Sequence, residues 1–126
     1  KQLVSAEKVA GFAEVSGDKN PLHLDEGFAA KTIFKKRIAH GVYSLGLISA
    51  ALGMNFPGFG TVYMKQDAKF LKPIFIDETV EINLEVLEIF EDKKRLLLKT
   101  DVVKENGDVA LAGEALVMFN PAMFGG

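Results

Sequence analysis

The chain contains no cysteine. Disulfide scaffolds, thiolate nucleophiles and cysteine-based zinc or iron–sulfur sites are therefore excluded. Histidine is almost as scarce, so any imidazole chemistry must come from His23 or His40. Neither sign of charge dominates, with 15 basic against 17 acidic residues and a formal net charge of −2. So small an imbalance lacks the field of a nucleic-acid binder, and no nucleic-acid partner is expected. Charge is missing altogether from Ile38 to Met64, a run of 27 residues. That length would allow a membrane span. However, His40, Ser44, Ser49, Asn55, Pro57 and five glycines interrupt the run. It reads instead as a helix apolar nearly all round, buried on most sides by the protein itself. No signal-peptide core flanks Lys1 or Lys8. A cytoplasmic protein without a membrane partner is the expectation.

What remains is ordinary: 126 residues, 48% hydrophobic and 25% charged. These values suit one domain spanning 1–126 with a core that needs no staples. The chain starts at Lys1 without a methionine, so truncation or processing at this end is expected. Ser5 to Gly17 reads as an amphipathic helix, with Ser5 as N-cap, Val9, Phe12, Ala13 and Ser16 at helical spacing, and Gly17 as stop. Asp18-Lys19-Asn20-Pro21 is a dense turn signal. Residues 22–37 read as a short helix and loop anchored by Leu22, Leu24, Phe28 and Ile33. The long apolar helix is placed from His40 to Leu52, closed by Gly53.

Beyond Pro57-Gly58 the period changes. Thr61 to Leu71 is rich in β-formers and ends before Pro73. Val80, Ile82, Leu84 and Val86 alternate with Glu81, Asn83 and Glu85, the mark of a strand with one wet face. A slip at Leu87-Glu88 implies a bulge. Glu91 to Lys94 is a turn, Leu96 to Val103 a strand, Asn106-Gly107 a hairpin turn and Val109 to Phe119 the last strand. The tail Phe124-Gly125-Gly126 is expected to fray. Helices followed by an antiparallel meander make an α+β chain. The architecture expected is a single hot-dog domain, an antiparallel sheet wrapped round a long central helix. Its first strand would be Lys1 to Val4 or lie upstream. A half-covered sheet calls for a homodimer or higher homo-oligomer joined edge to edge.

The densest polar cluster is Gly17-Asp18-Lys19-Asn20-Pro21-Leu22-His23-Leu24-Asp25. The Asn-Pro turn can bring the Asp18 carboxylate and the His23 imidazole to one point. Such a pair can deliver one proton to a water-derived group and remove another, as hydration or dehydration requires. Alternatively, Asp18 caps a turn and His23 simply packs.

This string, with Phe28 behind it, Ile38-Ala39-His40-Gly41 after it and Lys69-Phe70-Leu71-Lys72-Pro73-Ile74-Phe75 further on, closely resembles the hydratase motif of MaoC-like proteins, the R-specific enoyl-CoA hydratases. The resemblance runs from about Ser5 to Phe119. It implies that Asp18 and His23 activate water against a trans-2-enoyl-CoA, giving R-3-hydroxyacyl-CoA in a reversible reaction. By the same resemblance Gly41 is the oxyanion donor, and free N–H groups at a helix start suit that role. Ser49 matches a serine that lines the family's site. Asn20 and His40 are expected to brace the loop.

For the acyl chain, Leu45, Leu52 and Phe56 are the candidate pocket residues, with Phe59 closing its end. Two phenylalanines there imply short chains. Lys31, Lys35, Lys36 and Arg37 form a basic cluster that could meet the phosphates of coenzyme A. No cofactor is expected, coenzyme A being part of the substrate. No metal is expected either, although Asp18, His23, Asp25 and His40 are of ligand type. The competing functions are a hot-dog acyl thioesterase, an acyl-carrier-protein dehydratase and a non-catalytic acyl-CoA binding module.

Overall fold

The alternating Val80–Val86 segment forms part of the longest strand of the sheet. A computed structural model of the protein describes residues 1–119; Phe124-Gly125-Gly126 lie outside them. The elements are β1 (Gln2–Leu3), α1 (Ala6–Ser16), α2 (Pro21–Leu24), α3 (Glu26–Ala30), α4 (Gly41–Met54), β2 (Val62–Gln66), β3 (Lys69–Phe70), β4 (Thr79–Phe90), β5 (Arg95–Lys104) and β6 (Val109–Met118). One antiparallel sheet runs β1-β4-β5-β6-β2, and β3 pairs with β6 beyond β2. The register of β4 against β5 shifts between Val86 and Glu88, where the bulge is expected.

On the inner face of the sheet, Leu98, Val102, Leu111, Ala115 and Val117 are buried with Tyr43, Ile48 and Leu52 of α4. The hot-dog fold is therefore present, with α4 lying in the curl of the sheet. No helix among the described residues is long and apolar enough to cross a membrane.

Four expectations need correction. Residues 61–71 are not one strand, because Asp67 interrupts it: its N–H donates to the Glu114 carbonyl at 3.0 Å and its Oδ1 accepts the Glu114 N–H at 3.0 Å. A carboxylate that competes for ladder donors breaks the run into β2 and β3. Helix α4 ends at Met54 with Asn55 as cap rather than at Gly53. It is also not buried all round. Tyr43, Ser44, Ile48 and Leu52 face the sheet, whereas Val42 and Met54 are more than half exposed, since one curled sheet covers one side of a helix. Finally, Phe28 and Ile33 point outward, and Ala29 and His23 are the buried anchors of that region.

One polar contact on the inner face bears on the site. Lys104, 7% exposed, places Nζ 3.1 Å from Glu78 and donates to the Pro73 carbonyl at 2.9 Å. Glu78 in turn accepts the Phe75 N–H at 2.7 Å. The turn thus held pairs Ile38 with Phe75, and its Ile74 carbonyl accepts the Ala39 N–H at 2.8 Å.

Candidate active site

The cluster at residues 16–25 is organised by its own side chains. Helix α1 ends where Gly17 turns left-handed at φ +82°, a conformation that suits glycine. The Asp18 N–H then donates to Ser16 Oγ at 3.1 Å, and Asp18 Oδ1 accepts the Asn20 N–H at 3.3 Å. Asn20 caps α2 by accepting the Leu22 N–H at 3.0 Å, with Pro21 in the first turn. Asn20 therefore sits where loop support is expected.

His23 lies on α2 and is buried. Its Nδ1 donates to the Ile38 carbonyl at 2.8 Å. A carbonyl can only accept, so the neutral ring keeps its lone pair on Nε2. Burial holds this imidazole below its usual range, and His40 adds to that effect. The Ile38 bond and the Asp18 carboxylate pull the other way. The His40 ring stacks on it at 3.9 Å between centroids, and His40 Nε2 donates to the Asp18 carbonyl at 2.9 Å. One carboxylate oxygen of Asp18 and one ring nitrogen from each histidine lie within 4.8 Å of one another.

Gly41, the first residue of α4, follows His40 directly. First-turn N–H groups have no acceptor within their own helix. A Cβ on Gly41 would stand 2.9 Å from the Phe70 ring, so glycine fits the close packing here. Beside it opens a cavity of about 310 Å³, lined in part by Phe34, His40, Gly41, Ser44, Phe70 and Ile74.

The sequence pattern of the MaoC-like domain matches residues 1–107. This chain belongs to the MaoC-like family. The 3-hydroxybutyryl-CoA dehydratase of Methylorubrum extorquens is 47% identical over 93% of this MaoC-like chain and 74% of its own length. The (R)-specific enoyl-CoA hydratase of Aeromonas caviae is 42% identical over 89% of the chain and 84% of its own. Among solved structures, the (R)-hydratase from A. caviae involved in PHA biosynthesis superposes with a TM-score of 0.91 at 39% identity. That match covers 94% of this chain and 90% of the other.

In this MaoC-like chain the remaining candidates are scattered. Ser49 is exposed two turns along α4, about 12 Å of helix rise beyond Gly41. The serine lining the cavity is Ser44, one turn from Gly41. Leu45 faces a shallow groove with Tyr63 and Gln66, Leu52 is core, and Phe56 is 46% exposed past the helix end. None of these three lines the cavity beside Gly41. The side chain of Arg37 does not join the basic cluster but folds inward, donating from Nε to the His23 carbonyl at 2.8 Å, while Lys31, Lys35 and Lys36 are exposed. Sequence reasoning missed Ser44 and Phe70 as lining residues. Ser44 could have been found from its spacing of three residues after Gly41, which returns to the same helix face.

Proposed function

We propose that this MaoC-like chain adds water reversibly across the double bond of a trans-2-enoyl-CoA, giving R-3-hydroxyacyl-CoA. The observation that carries the reading is the approach of the Asp18 carboxylate, within 4.8 Å, to a buried His23 whose Nε2 is free, beside a helix start whose Gly41 and Val42 N–H groups are unfilled. The relatives named above carry the same chemistry in their names.

In the forward direction the Asp18–His23 pair holds a water and takes one proton from it. The hydroxyl bonds to C3, and the π electrons of the double bond shift through C2 to the thioester oxygen. That enolate oxygen is met by the Gly41 N–H at the positive end of α4. The proton returns to C2, the thioester bond stays intact, and the balance is substrate plus water. Glycine at position 41 lets the carbonyl approach the backbone closely. No metal takes part. The chain works as a homodimer, supported by the open edge of β2 and the exposed Val62, Tyr63 and Met64 along it.

The test follows the conjugated enoyl absorbance of a short trans-2-enoyl-CoA, with chiral analysis of the product and Asp18→Asn as control. Asp18→Asn should lower kcat by about 10²–10⁴-fold, the usual contribution of a positioned acid–base group. Free thiol release, or a folded dimeric protein that leaves the enoyl signal untouched, would overturn the assignment.

A further inference from the structure

His40 occupies a position where a different residue type is usual. It is the N-cap of α4, a place favoured by serine, threonine, aspartate and asparagine because their side chains bond the first-turn N–H groups. The His40 side chain makes no such bond. It turns back instead across 22 residues of sequence to the Asp18 carbonyl, 2.9 Å from Nε2. His40 is 3% exposed, and its ring lies between His23, stacked at 3.9 Å, and Phe12, tilted at 4.8 Å.

We propose that His40 is a positioning residue that locks the Asp18 backbone and the His23 ring to the start of α4 and leaves the Gly41 and Val42 N–H groups free for substrate, the Tyr43 N–H being bonded to the His40 carbonyl at 3.1 Å. The inference rests on the hydratase reading and deepens it. Two bonds and one stack tie the pair to residues 38–40: His40 to Asp18, His23 to Ile38, and ring on ring. Gly41 is the next residue along the chain, so the water-activating pair and the oxyanion donor are held by one short segment. A capping oxygen at position 40 would have filled an N–H and set an electron-rich atom where an enolate must sit. The buried Nδ1 of His40 has no partner among the described residues. In the neutral ring that atom carries the lone pair, because Nε2 must keep its proton for Asp18.

The experiment compares His40→Gln, which keeps a donor but loses the ring, with His40→Phe, which keeps the stack but loses the donor. In both, kcat should fall, by up to about 10²-fold for a displacement of about 1 Å, with KM changed far less. Gln should recover part of the loss if the bond to Asp18 matters. The pH profile gives a readout that general loosening would not move. The titratable and charged groups around His23 are Asp18 from the loop, His40 before α4 and Arg37 on its carbonyl; Asp25, on the adjoining turn, is directed to the Phe28 N–H. Removing His40 removes an influence that lowers the His23 pKa, so the acid limb of kcat/KM should move to higher pH.

A folded His40→Phe enzyme with wild-type kcat and an unmoved acid limb overturns the proposal. So does imidazole nitrogen NMR of the unaltered protein, should it find the neutral His40 proton on Nδ1. An unaltered protein that hydrates no enoyl-CoA refutes the function first, and the NMR test of His40 still stands by itself.

Discussion

Replacing Gly113 by alanine tests how β6 and the break between β2 and β3 depend on each other. A Cβ at position 113 would overlap the Asp67 carbonyl oxygen, come within 2.9 Å of its carbonyl carbon and lie 3.0 Å from Gln66 Nε2. Ordinary carbon contacts are about 3.5–4.0 Å, so the Asp67 peptide must retreat by about 1.5 Å. Backbone cannot swing aside as a lysine tip can. The retreat strains the two bonds between Asp67 and Glu114, each 3.0 Å, and the Gln66 bond to the fully buried Thr100 hydroxyl, also 3.0 Å. At about 1 kcal/mol net per bond, losing two or three costs about 2–3 kcal/mol. For a chain of this size that is a fall in Tm of roughly 8–12 °C. Circular-dichroism melting reads it directly. Gly11→Ala is the control, since nothing lies within 4 Å of its Cβ and it sits inside α1. That change should stabilise by about 0.5–1 kcal/mol. If Gly113→Ala melted within 2 °C of wild type, by analogy with an unhindered site, the packing argument would be wrong.

The state of His23 sets a pH dependence. Burial holds its folded pKa below the ordinary 6.5, so the neutral imidazole and hydration activity should persist at pH values somewhat below 6.5, as a kcat/KM profile would show. The same shift means that the unfolded chain takes the proton first. His23 should therefore withdraw stability as pH falls below about 6.5, until the folded ring protonates as well, and denaturant midpoints across this range test the sign. Dialysis against a chelator should leave activity unchanged. A loss restored by zinc would instead make Asp18, His23 and His40 a metal centre.

Where local chemistry decides, the sequence was legible. Ser5 and Gly17 frame α1, the slip at Leu87-Glu88 is the bulge, and Asn106-Gly107 turns the last hairpin. The approach of Asp18 to His23, within 4.8 Å, could be read because the turn between them is built from Asp, Asn and Pro, which bond or bend within a few residues. What escaped depends on distant partners. Asp67 breaks its strand through a residue 47 positions away, and Arg37 leaves the basic cluster for a carbonyl 14 positions back. Hydrophobic content placed α4 in an apolar setting, but it could not say that one side of the helix lacks a cover among the described residues. Ser44 and Ser49 lie five residues apart, about 140° round the helix, so one is buried and the other exposed, which composition does not register.

The contact between Lys104 and the Pro73–Glu78 turn reaches further than the sheet it sits on. The turn carries the Ile74 carbonyl that fixes Ala39, and the Asp77 N–H bonds Val4 while the Val4 N–H bonds Glu78. Residues 37–39 belong to no helix or regular strand, yet Ala39 and Ile76 exchange bonds with each other's segments. Amide protons there should trade with deuterated solvent on the slow clock of the sheet interior, as one cooperative unit. The acceptor that orients His23 thus belongs to one bonded unit with the sheet, and the Asp18 carbonyl is tied to that unit through His40.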